Sequence, residues 1–142
     1  MKFITLVILP PDVSITSEPE INAAVDRLMA PFRNPWEQDN DVAAGTDPDW
    51  WHDAYHCYAR GWIENSDAYD GLEAIVLHRT DGLSRASFQP GDGVASVVVA
   101  PDGRSVASRS TYAKGDPGWP DRAAGLTREF PCHDAVAVFC KS

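Results

Sequence analysis

The sequence predicts an α+β fold: a single antiparallel or mixed sheet with helices on one face, of the ferredoxin-like β-α-β-β-α-β type with one further helix inserted. Three observations predict it. The chain opens on an unbroken apolar run, Phe3 to Leu9, stopped by Pro10-Pro11. Two stretches, one following that run and one beginning at Trp119, space their apolar residues as helices do. The rest of the apolar content falls in short β-branched runs separated by turn residues, and the last of these closes the chain.

Taken in order, Phe3 to Leu9 has apolar residues on both sides of a two-residue period, which is how a strand covered on both faces reads. Ser17 then stands where a helix cap would, with Glu20 three positions on to reach back to it and Pro19 harmless in the first turn. Ile21, Val25, Leu28, Met29 and Phe32 form one stripe, and Pro31 and Pro35 end the helix. Residues 33–49 are acidic and rich in Asn, Asp, Gly and Pro with no apolar period, so an exposed loop is expected there.

The stretch Asp49 to Trp62, DWWHDAYHCYARGW, reads better as a helix than as a strand. A helix groups Trp51, Ala54, Tyr55 and Tyr58, whereas a strand alternates poorly and mixes His52 and His56 with Trp50, Ala54 and Tyr58. Strands follow at Leu72 to His78, before the turn Thr80-Asp81-Gly82, and at Val94 to Ala100, before Pro101-Asp102-Gly103. Arg104 to Tyr112 alternates with polar residues, as an outer strand does. Trp119 to Phe130 is a second helix, with Trp119, Ala123, Leu126 and Phe130 turned to the sheet, and Ala135 to Cys140 is the final strand.

With 142 residues and 44% hydrophobic content, residues 1–142 are expected to form a single domain with one ordinary core. The balance of 21 acidic to 12 basic residues, a net charge of −9, argues against non-specific nucleic-acid binding and against anionic lipid. Even the densest basic stretch holds only Arg104, Arg109 and Lys114. Three cysteines without regular spacing read as reduced thiols, and the short apolar start running into Pro-Pro-Asp reads as a strand rather than a leader. A cytoplasmic protein with no membrane association is the expectation, with a homo-oligomer left open.

Two ends of the chain carry a resemblance. The start Phe3-Ile4-Thr5-Leu6-Val7-Ile8-Leu9-Pro10-Pro11, the helix end Leu28-Met29-Ala30-Pro31-Phe32 and the strand entering Pro101-Asp102-Gly103 resemble small uncharacterised proteins of actinobacteria and their phages. Such proteins also carry a Trp-rich centre running into Gly-Gly-Arg-Trp, echoed here by Trp50-Trp51 and Arg60-Gly61-Trp62, and often finish in Asp-Cys-His, where this chain has Phe139-Cys140-Lys141. The group has no assigned chemistry. The resemblance implies this kind of fold and a phage or prophage setting; small acidic proteins of that setting often act on a host system, so an accessory role in a host cytoplasm, such as countering a host defence, is the expectation.

The chemistry-bearing residues concentrate between 50 and 62. Trp51, Tyr55, Tyr58 and Trp62 interleave with His52, His56 and Arg60, a mixture suited to stacking on a planar, nucleotide-like small ligand or to anchoring on a host protein. The expectation is a non-enzymatic binding protein using these seven residues, with no cofactor and no catalytic residue. Two other readings compete. His52 and His56, spaced i, i+4, would face one metal ion on a helix, with a distal ligand from Cys132, His133 or Cys140, in a metal-dependent hydrolase. The acidic surface would otherwise imitate a nucleic-acid backbone. No phosphate-binding loop is present: Gly91-Asp92-Gly93 is a turn, and its Asp would repel phosphate.

Overall fold

A computed structural model describes residues 2–32, 56–58, 77–91, 94–110 and 114–141. Its elements are β1 (Lys2–Ile8), α1 (Glu18–Met29), β2 (His56–Tyr58), β3 (Leu77–Arg79), β4 (Val97–Val99), β5 (Ser105–Ala107), α2 (Trp119–Arg128) and β6 (Asp134–Lys141). Short 3-10 turns cover Ala30–Phe32, Thr80–Gly82 and Arg85–Phe88. The expected loop over 33–49 and all but the last two residues of the expected strand Leu72 to His78 lie outside the described residues.

Among the described residues the fold is α+β, with two helices and one mixed, open sheet. The strands run β2-β6-β1-β4-β5. β1 pairs antiparallel with β6 along its whole length, Lys2 against Lys141 through Ile8 against Ala135, and parallel with β4, Leu6 beside Val98 and Val7 beside Val99. β3 shares an edge with β2: on the side of β6 away from β1, β2 takes residues 138–140 and β3 takes 134–136. The sheet is therefore five strands wide and built from six segments. β1 sits at its centre, as an apolar run with no polar face requires.

Successive buried residues of the central strands join opposite faces and define two cores. Val7 and Leu9 of the β1 segment join Val99, Val136 and Val138 under Ile21, Ala24, Val25, Leu28 and Met29 of α1. Leu6 and Ile8 join Val98, Ala100 and Ala135 on the opposite face, under Trp119, Ala123, Ala124 and Leu126 of α2 and Phe88 of the 3-10 turn. Full burial of each large side chain contributes about 1.5–3 kcal/mol. Trp119 adds polar anchorage, its indole N–H donating to the Ala95 carbonyl at 3.1 Å, and Phe88 meets its ring edge-on at 6.2 Å.

The helices thus cover opposite faces, which corrects the expectation of helices on one face and of a ferredoxin-like topology. The reason is topological. A ferredoxin-like sheet pairs all its neighbouring strands antiparallel, whereas β1 and β4 here are direct parallel neighbours. Crossovers between parallel strands are right-handed. β1 is parallel to β2, since both oppose β6, and β5 is parallel to β6. The chain passes from β1 through α1 to β2, and from β5 through α2 to β6, travelling in the same direction across the sheet on strands of opposite sense. Equal handedness then requires opposite faces. Reading residues 49–62 as a helix removes β2 from the order, and with it the crossover that sends α1 to the far side.

The serine half of the expected cap and the expected turn both form. The Ser17 hydroxyl accepts from the Glu20 N–H at 3.4 Å. The turn after β4 places Gly103 at φ +92°, in the region open to glycine. No helix among the described residues is long and apolar enough to cross a membrane.

Candidate functional site

The aromatic segment enters the described structure at three residues. His56, Cys57 and Tyr58 form β2, a strand rather than the helix expected over Asp49 to Trp62. A poorly alternating sequence becomes a strand here because β6 supplies the pairing: His56 stands opposite Cys140, Cys57 opposite Phe139 and Tyr58 opposite Val138. Trp51, His52, Tyr55, Arg60 and Trp62 lie outside the described residues, as does Trp50. Among the described residues β2 ends the strand order on its side.

This placement changes the footing of the metal reading. The i, i+4 argument joining His52 to His56 requires a helix through both, and His56 lies in a strand. Cys132 is exposed at the α2–β6 turn with φ 57°. The His133 ring has Nδ1 2.9 Å from the Pro131 carbonyl and meets Phe130 edge-on at 5.7 Å. Among the described residues no three His, Cys, Asp or Glu side chains come together to hold a metal ion.

A second feature was missed by sequence reasoning. An open groove of about 520 Å³ runs between β5 and α2, with Val106, Gly125 and Leu126 on its floor. Arg104, Arg122 and Glu129 form its rim. Both guanidiniums are already engaged. Arg104 donates from Nε to Asp102 Oδ2 at 2.8 Å and from Nη1 to Glu129 at 3.1 Å, and lies 5.6 Å over the Phe130 ring. Asp102 is held below the ordinary carboxylate range, chiefly by the Arg104 backbone N–H and then by its guanidinium. Asp102 and Glu129 in turn raise Arg104.

At the other end Arg122 Nη2 donates to Asp116 Oδ2 at 2.6 Å and to the Ala107 carbonyl at 3.1 Å, and the guanidinium lies 5.9 Å over the Trp119 ring. Asp116 also accepts the Arg109 backbone N–H at 2.8 Å. The Arg122 guanidinium, followed by that N–H, holds the Asp116 carboxyl far below its usual range. The only sequence hint of this network was the loose basic cluster Arg104, Arg109 and Lys114. Its carboxylate partners come from Asp102, Asp116 and Glu129, and the last joins only after α2 folds back over β5. Among the described residues the groove brings together ion pairs and an apolar floor.

No protein-family model, no curated protein and no solved structure matches this chain.

Proposed function

We propose that this chain is a non-enzymatic binding protein that docks a partner protein of the host cell through its 50–62 segment, as a phage or prophage accessory factor. The observation that carries the reading is the position of β2: among the described residues, the middle of the most aromatic stretch in the sequence is an end strand of the sheet. A strand that is terminal among the described residues and flanked in sequence by Trp, Tyr, His and Arg combines the residue types that anchor protein interfaces with a backbone of the kind a partner strand extends. The acidic surface favours a basic partner and disfavours nucleic acid. The β5–α2 groove supports the same choice, because its arginines are committed to internal carboxylates.

The test is capture from a bacterial lysate on immobilised wild-type chain, Tyr58→Ala, Arg60→Ala and, as a control on another part of the surface, Arg85→Ala. The reading expects one protein retained by wild type and Arg85→Ala and lost from the other two. Retention at equal levels by folded Tyr58→Ala and Arg60→Ala would sink it. Recovery of a nucleotide in place of a protein, by mass analysis of the eluate, would replace the partner with a planar ligand.

A further inference from the structure

Among the described residues β5 is the last strand at the other end of the sheet. Toward β4, the Arg104 carbonyl accepts from the Ala100 N–H and the Ser108 N–H donates to the Ser96 carbonyl, both at 2.8 Å, with Val106 opposite Val98. Backbone groups of residues 104, 106 and 108 therefore face β4, and those of 105, 107 and 109 face away from it. An outward row of this kind is a template for another strand. The usual safeguards are missing from the segment between Arg104 and Arg109: Ser105, Val106, Ala107 and Ser108 include neither a charge nor a proline.

Two of the outward groups are occupied by side chains. The Ala107 carbonyl accepts from Arg122 Nη2, and the Arg109 N–H donates to Asp116 Oδ2. The two side chains are joined to each other at 2.6 and 3.2 Å. They present β5 with a donor and an acceptor side by side, as a neighbouring strand would. The pair is held in place. Asp116 opens the turn whose Trp119 N–H returns to its carbonyl, and its side chain is only 10% exposed. Gly118 leaves the guanidinium its room, since a Cβ there would lie 3.1 Å from Nη1.

We propose that the Asp116–Arg122 pair closes the β5 edge against strand addition by a second copy of this chain. A second copy is the fitting occupant because an antiparallel β5–β5 contact is self-complementary, with residues 105, 107 and 109 of each copy meeting the same residues of the other across a two-fold axis.

The experiment measures mass by sedimentation over a wide concentration range for wild type, Arg122→Ala, Asp116→Ala and the double variant Arg122→Ala/Ala107→Pro. Proline at 107 removes an outward N–H that a partner strand would use. The expected result is a concentration-dependent rise toward dimer mass in both single variants, above any association of wild type, reversed in the double variant. Single variants that fold and keep the wild-type mass overturn the proposal, as does a rise that Ala107→Pro does not reverse. Amide exchange in the unaltered protein gives an independent check should a variant not fold. The Arg109 N–H is expected to exchange slowly despite lying beyond the last strand, and fast exchange there contradicts the closed edge.

Discussion

Tyr58 stands opposite Val138, so the middle of the aromatic segment is fastened to the C-terminal strand across 80 positions of sequence. Val138 belongs to the core beneath α1. Any loss of the β6 core should therefore reach β2.

Core packing gives the first prediction. Ile8 is fully buried on the α2 face, whereas Ile15 is 44% exposed. Ile8→Ala should cost about 2–5 kcal/mol through lost transfer energy and the residual cavity. Ile15→Ala should stay within about 0.5 kcal/mol. Urea unfolding of the two variants checks both values.

Thr80 makes a different kind of contribution. Its buried hydroxyl donates to the Phe130 carbonyl at 2.6 Å and accepts the His133 N–H at 3.0 Å, tying the end of β3 to the α2–β6 turn. Thr80→Val leaves both backbone groups without that partner and should cost about 1–3 kcal/mol. Thr80→Ser keeps the hydroxyl and should recover most of the loss in the same unfolding assay.

The turn after β4 yields a backbone prediction. Gly103 sits at φ +92°, so Gly103→Ala should destabilise by about 1–3 kcal/mol although nothing lies within 4 Å of the added methyl. Gly82→Ala is equally uncrowded and does not carry that φ, and it should stay within about 0.5 kcal/mol. Thermal unfolding distinguishes the two.

The low pKa of Asp116 sets a pH dependence. A carboxyl whose folded pKa is depressed adds stability that is fully present above its unfolded value, near 3.9, and is lost as pH falls through the folded value. Asp102 acts in the same direction. Denaturant midpoints of the wild type should fall as pH drops below about 4, and Asp116→Asn should show a shallower fall.

Much of the fold was legible because its causes are local. The run from Phe3 to Leu9 has apolar residues on both faces and became the central strand, and Ser17 caps α1 through Glu20 as its spacing indicates. Pro101-Asp102-Gly103 makes the turn its residues favour. The failures share a cause in pairing between distant residues. His56 to Tyr58 has no strand period of its own and takes its conformation from β6. Phe88 enters the core from a 3-10 turn, where no helical or strand spacing announces it. The assignment of each helix to a face followed from the direction of two crossovers, which a list of elements does not contain. Five of the seven candidate site residues, Trp51, His52, Tyr55, Arg60 and Trp62, rest on sequence alone, and for His56 and Tyr58 the structure adds a register.

The central claim is that residues 50–62 form the contact surface. Its most direct test is hydrogen–deuterium exchange of the chain with and without its captured protein partner. The account predicts slowed exchange in peptides covering 50–62 and unchanged exchange in Trp119–Arg128. Slowing along β5 and α2 with none at 50–62 would contradict it.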